Sequence, residues 1–288
     1  MAGELTNDLV KLSPRSAKSL DKLVFDFPEV QLSTVQYDEG PVGCTLIYFP
    51  KGGKSYIDIR GGMPGIVSYP STGSDGYTDG VCIAGGSLMG RECIMGTNLA
   101  IWREKKYEIM QWGVINGSII YTGNLKKNRI YPDKDLGLFA FQKLKPNRIY
   151  RGQVGAGASA SYGQGASFRN VNGIRILCVV VLNAIGNIYK EGEKLYKSSD
   201  ECELSEGKNT TITVLITDLK LSHNNLKQLA RQCHTSMAEV IRPFNTLYDG
   251  DTFYACSTDT YDKPNINLYE FFLACSEVVK EAVYTYKI

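Results

Sequence analysis

Asn209-Thr210-Thr211-Ile212-Thr213-Val214-Leu215-Ile216-Thr217-Asp218 is the stretch on which the fold turns. From Thr211 to Thr217 it is β-branched and apolar enough for a strand covered on both faces. The segment before it, Lys194–Lys208, is the opposite. It carries Asp200, Glu201, Glu203 and Glu206 and has no apolar period. A polar loop running straight into a core strand leaves an accessible bond beside a rigidly held residue, which is the setting a processing site needs. Working outward, Ile174–Leu182 is a second doubly covered strand, and Thr45–Phe49, Ser55–Ile59 and Ile115–Tyr121 read as further strands. Helices are predicted over Leu88–Lys106, His223–Ile241 and Leu268–Tyr284. In the second, Leu226, Leu229, Ala230, Cys233, Met237, Val240 and Ile241 form one stripe, Ser222 is placed to cap it and Pro243 to stop it. Sheets with helices on their faces make a layered α/β domain.

The chain has 288 residues, 43% hydrophobic and 22% charged, which is enough to bury a sizeable core. Its 32 basic and 30 acidic side chains nearly cancel, which argues against nucleic acid or an anionic membrane as the main partner. The eight cysteines are spread singly with no Cys-x-x-Cys pair, and neither His223 nor His234 stands at metal-ligand spacing from one. Reduced, buried thiols in a cytoplasmic protein are the expectation. Asp8, Lys11, Arg15 and Lys18 interrupt any signal-peptide pattern, and the longest apolar run, Ile176–Ala184, is too short to span a bilayer.

Candidate chemistry is sparse when each motif is taken alone. Gly155-Ala156-Gly157-Ala158-Ser159-Ala160 lacks the Gly-Lys-Ser/Thr ending of a phosphate loop, and its glycines read as close-packing positions or anion-facing amides. Ser159 and Ser161 lack the nucleophile-elbow pattern, and His234 reads as structural. Asp249-Gly250-Asp251 reads locally as a turn.

Taken in order along the chain, these pieces resemble the DmpA-type aminopeptidase family, which includes L-aminopeptidase/D-amidases, β-aminopeptidases and nylon-oligomer hydrolases. Thr6-Asn7-Asp8-Leu9-Val10 resembles the family's opening. Asp58-Ile59-Arg60-Gly61-Gly62-Met63-Pro64-Gly65 is similar to its D-x-R-G-G-x-P-G turn, and Ala84-Gly85-Gly86-Ser87-Leu88-Met89-Gly90 to its T-G-G-S-x-x-G turn. Val154-Gly155-Ala156-Gly157 is similar to V-G-A-G, and Val181-Leu182-Asn183-Ala184-Ile185-Gly186-Asn187 to V-x-N-x-x-G-[DN]. The opening stretch through Asp218, the helix after it and Tyr248-Asp249-Gly250-Asp251-Thr252 cover most of the family's small subunit.

The resemblance implies a four-layer αββα sandwich, shared with ornithine acetyltransferases, formed as a single domain over residues 1–288. It implies self-cleavage between Asn209 and Thr210 into an α-subunit 1–209 and a β-subunit 210–288, with Thr210 as nucleophile for amide substrates. Asp249 and Asp251 then orient the freed amine. Asn183 donates to the acyl oxygen, Tyr121 lines the site, and amides near Gly85, Gly86 and Ser87 serve as oxyanion donors. No cofactor or metal is required, the substrate is a small peptide or amide, and a homo-oligomer of αβ protomers is expected. Gln164 falls where nylon-hydrolase-type members carry a Lys near the substrate, and a neutral amide does not replace an ammonium. The loop before Gly165-Ala166-Ser167 looks shortened, and Arg91, Glu92 and Cys93 follow the Gly-Gly-Ser turn where small residues are usual. An acyltransferase, in which an amine captures the Thr210 ester, and an uncleaved binding protein are the alternatives.

Overall fold

The two most apolar runs become neighbouring strands in the middle of one long sheet. The computed structural model describes residues 5–67, 76–122, 129–195, 209–263 and 265–286. Its principal strands are β1 (Gln31–Tyr37), β2 (Val42–Ile59), β3 (Tyr77–Ala84), β4 (Ile115–Ile119), β5 (Gly163–Val171), β6 (Ile174–Asn183), β7 (Thr210–Leu219) and β8 (Thr252–Tyr261). The helices are α1 (Arg91–Glu104), α2 (Lys134–Gln142), α3 (His223–Ser236) and α4 (Leu268–Tyr284). The strands run in the order β5-β6-β7-β8-β2-β3-β4, with β1 beside β2. The β7–β8 and β3–β4 pairs are parallel and the other pairs along this path antiparallel.

The 18-residue β2 makes two layers out of one sheet. Its first half pairs with β1 and β3, its second half with β8, and the register breaks between Tyr48 and Gly53. A Cβ at Gly53 would stand 2.6 Å from the Ser257 carbonyl, so the crossing point takes glycine. The two segments Thr45–Phe49 and Ser55–Ile59 are therefore one strand.

Strand alternation then sorts the side chains into three cores. Leu177, Val179 and Val181 of β6 meet Ile212, Val214 and Ile216 of β7 and Ile47, Phe49, Val81 and Ile83 of β2 and β3 in a core between the sheets. On the other face of β6, Ile176, Cys178, Val180 and Leu182 pack under α3 and α4 through Leu226, Leu229, Cys275 and Val279. Beyond the second sheet, Leu46 and Ala84 pack under α1 and α2 through Ile94 and Leu136. Helix, sheet, sheet, helix is the four-layer αββα sandwich expected. Fully burying one such side chain contributes about 1.5–3 kcal/mol, so strands covered on both faces dominate the stability.

The helices differ from expectation at their ends. Ser87–Gly90 forms a 3-10 turn before α1 begins at Arg91. The α3 helix, capped by the Ser222 side chain, stops at Ser236, because Ile241 must pair with Ile188 in a small separate sheet. The α2 helix and strands β1, β3 and β5 have no counterpart in the sequence reading. The Asp133 side chain caps α2 by accepting from the Leu136 N–H at 3.0 Å, and Gly137 weakens its propensity. Any side chain at Gly137 would run into the Cys93 carbonyl of α1, so helix packing, not propensity, sets that residue. Most of the acidic loop, residues 196–208, lies outside the described residues. The seven described cysteines are all free, and Cys202 lies outside.

Candidate active site

Strand directions assemble the site from three distant segments. Because β7 and β8 are parallel, in register from Ile212 opposite Thr252, the residues just before them lie side by side. Asn209 bridges Asp249 in parallel, its N–H donates to the Tyr248 carbonyl at 3.0 Å, and its own carbonyl accepts from the Gly250 N–H at 2.8 Å. Because β6 and β7 are antiparallel, the last residue of β6, Asn183, stands opposite the first of β7, Thr210. The Asn209–Thr210 bond thus sits at the buried edge of the sandwich, with Thr210 only 3% exposed.

The two acids flank it and are held differently. Asp249 accepts from the Thr246 N–H at 3.0 Å and hydroxyl at 2.6 Å, and from the Ile185 N–H at 3.4 Å. Asp251 accepts from the Thr211 N–H at 2.7 Å and the Asn245 N–H at 3.1 Å. Burial and the neighbouring Asp249 charge push the Asp251 carboxyl up to about 7, against the downward pull of those N–H donors. This places a proton-exchanging group one residue from the Asn209–Thr210 bond's amide partner, near neutral pH.

The Gly61-Gly62 turn is the cradle of this acid loop. The Arg60, Met63 and Gly62 N–H groups donate to the carbonyls of Asp251 (2.8 Å), Asp249 (3.0 Å) and Thr246 (3.2 Å). Side chains at Gly61, Gly62 or Gly250 would strike the carbonyls of Asp249, Leu247 or Met63. Behind the turn, Asp58 accepts from Arg60 at 2.7 Å and bonds buried His234 Nδ1 at 2.9 Å, while Arg60 reaches the Thr235 hydroxyl and Arg231 carbonyl of α3. Burial works to raise Asp58, but the His234 and Arg60 contacts win and hold it below the usual carboxylate range. Burial pushes the His234 imidazole below its ordinary value against the upward pull of Asp58, and its packing behind the turn fits its reading as structural.

Asn183 has its amide orientation fixed from both ends. Its Nδ2 donates to the Tyr121 carbonyl at 2.9 Å, and its Oδ1 accepts from both the N–H and the hydroxyl of Ser161 at 2.9 Å. Ser161, weighed in the sequence only as a weak nucleophile, instead orients Asn183. Nothing in the local sequence around it signals that role. In the Gly85-Gly86-Ser87 turn, the Gly85 N–H donates to Gly43, the Ser87 N–H to Ile120, and the Ser87 hydroxyl accepts from the Thr122 N–H.

The pattern of peptidase family S58 matches residues 23–286. The chain belongs to peptidase family S58. It is 32% identical, over 90% of its length and 81% of the relative's, to a 6-aminohexanoate-oligomer endohydrolase of Agromyces sp. (strain KY5R). Its fold is similar to that of the L-aminopeptidase D-Ala-esterase/amidase of Ochrobactrum anthropi, a variant of the Ntn hydrolase fold. That match has a TM-score of 0.70 at 19% identity and covers 90% of this chain and 83% of the other. A Burkholderia sp. β-aminopeptidase matches with a TM-score of 0.70 at 15% identity, over 90% and 84% of the two chains. This S58 chain is thus a peptidase or amidase of the N-terminal-nucleophile hydrolase fold, and the DmpA-type resemblance holds.

Two remaining features of the S58 chain stand apart from the Thr210 cluster. Gln164 is fully buried, its Oε1 accepting from the Thr45 hydroxyl at 2.6 Å and its Nε2 donating to the Tyr150 carbonyl at 2.7 Å. No hydrogen bond joins it to Thr210 or Asn183 among the described residues. The Gly155–Ser159 segment is a buried 3-10 turn, in which a Cβ at Gly157 would stand 2.6 Å from the Gln164 nitrogen. Close packing therefore accounts for its glycines. No helix among the described residues is long and apolar enough to cross a membrane.

Proposed function

We propose that this S58 chain cuts itself between Asn209 and Thr210 and then hydrolyses small peptides or amides through an ester on Thr210. The observation that carries the reading is the clamp on the scissile unit, in which the Asn209 carbonyl accepts from the Gly250 N–H at 2.8 Å while Thr210 faces Asn183 across the strand pair. A carbonyl already bonded to a backbone donor is polarised for attack, and the same donor stabilises the oxyanion that follows. Losing one such donor typically costs about 2.7–4 kcal/mol of transition-state stabilisation.

Thr210 Oγ adds to the Asn209 carbonyl carbon, the C–N bond breaks, and the hydroxyl proton passes to the nitrogen that becomes the Thr210 amine. Water hydrolyses the resulting ester and frees residues 1–209 from 210–288. An unperturbed α-amine has a pKa of about 7.7–8.0, so part of it is neutral near pH 7 and accepts the Oγ proton when a substrate amide is attacked. Asp249 and Asp251 orient that amine, Asn183 donates to the acyl oxygen, Tyr121 lines the pocket, and the Gly86 amide is the donor in its turn not tied to Gly43 or Ile120. The likeness to a 6-aminohexanoate-oligomer endohydrolase supports small peptides or amides as the substrate class, and the working form is a homo-oligomer of αβ protomers.

Intact mass under denaturing conditions tests the central step. Wild type gives two fragments that meet at 209/210, and Thr210→Ala gives one chain. A wild-type chain that stays whole, or a Thr210→Ala chain that still divides, overturns the assignment. Adding an amine acceptor separates hydrolysis from acyl transfer by whether a new amide forms.

A further inference from the structure

The edge of β1 that faces away from β2 takes two short partners and leaves a notch between them. Arg15–Ser16 pairs with Gln36 and Val35, and Lys145–Pro146 pairs with Leu32 and Gln31. Ser33 and Thr34 fall in the gap, where the Thr34 carbonyl accepts from the Ala17 N–H at 2.8 Å. A cleft of about 120 Å³ opens there, and Ser16, Ser33, Thr34, Lys143, Lys145 and Arg148 are in its lining. No Asp or Glu among the described residues lines it.

Two independent observations point to a ligand. None of the three cations is in an ion pair among the described residues, and the Lys143 ammonium lies 5.0 Å from the centre of the Phe139 ring. Ser33 is only 5% exposed, and its hydroxyl has no hydrogen-bond partner. Native chains leave few buried hydroxyls orphaned, and one in the wall of a cationic cleft is matched by an acceptor oxygen brought from outside. Lys143 is the C-cap of α2, whose carbonyl end repels anions. The Phe139, Ala140 and Phe141 carbonyls at that end already accept from the Lys143 and Leu144 N–H groups, which blunts the repulsion.

We propose that this cleft binds a phosphate group, either as inorganic phosphate or as the end of a phosphomonoester. A phosphomonoester carries about −1.5 to −2 charges at pH 7 and three acceptor oxygens, which suits three cations and a donating hydroxyl. A carboxylate brings one charge and two oxygens and leaves the set unfilled. The Arg148 guanidinium can bond two oxygens at once, while the two lysines act as point charges. Sites for drug-sized ligands measure about 300–1,000 Å³, so this cleft holds the phosphate and leaves any attached organic part in solvent. It shares no residue with the Thr210 cluster, so it stands or falls apart from the cleavage reading.

The test is calorimetric titration of the full-length protein, in phosphate-free buffer of low ionic strength at about pH 7.5, with inorganic phosphate, methyl phosphate and acetate. The expected result is saturable binding of one phosphate per chain with Kd below about 1 mM, and acetate at least about tenfold weaker. Tighter binding of methyl phosphate assigns the cleft to phosphomonoesters, and tighter binding of inorganic phosphate to the free ion. Lys145→Gln and Arg148→Gln should each weaken binding about tenfold or more, and Ser33→Ala about threefold or more. The Tm of Ser33→Ala should be unchanged or raised, because the empty cleft gives that hydroxyl no partner. Lys105→Gln removes an equal charge at the other end of α1 and should leave Kd within about twofold. Absence of saturable phosphate binding, acetate that binds as tightly, a Ser33→Ala chain that binds like wild type, or equal losses from Lys105→Gln and Arg148→Gln overturns the proposal. If Ser33→Ala does not fold, the comparison of Arg148→Gln with Lys105→Gln decides it.

Discussion

Replacing Asp251 by Asn should make the uncut chain more stable at pH 8 and about 2 kcal/mol less stable near pH 4. The folded carboxyl sits at about 7, raised by burial and by Asp249, against 3.8 for an ordinary aspartate. Each tenfold change in proton affinity is worth about 1.36 kcal/mol, so the ionised group costs the fold at most about 4 kcal/mol. Between those two values the folded state holds the extra proton, so its stability falls as pH rises from about 4 to about 7 and then levels off. An Asn at 251 removes that penalty but offers one acceptor where two N–H donors, from Thr211 and Asn245, are now met. An orphaned buried donor costs about 1–3 kcal/mol, which leaves a net gain of about 2 kcal/mol at pH 8. For a chain of this size that is a rise of roughly 3–8 °C in Tm. The assay is thermal unfolding from pH 4 to pH 8.5 of Thr210→Ala and of Thr210→Ala/Asp251→Asn, both single chains. A Tm difference that is constant with pH, or that grows toward acid, refutes the buried-acid reasoning. In the Thr210-containing background, D251N should process and turn over poorly, so stability and activity move in opposite directions.

Ser161→Ala leaves Asn183 oriented by one donor instead of two, and kcat should fall about tenfold, the worth of one hydrogen bond, with little change in KM. A rise in KM at constant kcat would instead assign Ser161 to substrate binding. Gly250→Ala drives a methyl group into the Met63 carbonyl and should slow release of the 210–288 fragment while costing about 1–3 kcal/mol of stability. Gly192→Ala is the control: it meets no atom within 4 Å and changes only a loop conformation at φ +85°, so cleavage kinetics should match wild type. Gln164→Lys, which restores the cation of nylon-hydrolase-type members, buries an unpaired ammonium and should cost about 3–5 kcal/mol. Its folded pKa would be depressed below that of the unfolded chain, so the loss is full at neutral pH and is relieved as pH rises toward 10, which denaturation at pH 7 and pH 9.5 would reveal.

The sequence by itself marked the two doubly covered strands and, through the family resemblance, implied the four layers and the proposed nucleophile Thr210. Ile174–Leu182 and Thr211–Thr217 are apolar on both faces, a pattern local enough to read directly, and only a strand between two other layers satisfies it. The order of the Gly-Gly, Val-Gly-Ala-Gly and Asp-Gly-Asp motifs marked the family for the same reason, since each is contiguous. The tertiary structure decided what contiguous pattern cannot carry. That Asp249-Gly250-Asp251 is more than a turn follows from the parallel pairing of β7 with β8, which sets Gly250 against the Asn209 carbonyl. That Ser161 serves Asn183, and that Gln164 is spent on Thr45 and Tyr150, depends on hydrogen bonds between segments distant in sequence. The Gly137 that weakens the α2 helix is there because α1 leaves room for no side chain. Strand direction and close packing are long-range properties, and they alone bring together Asn183, Thr210 and Asp251 at the site.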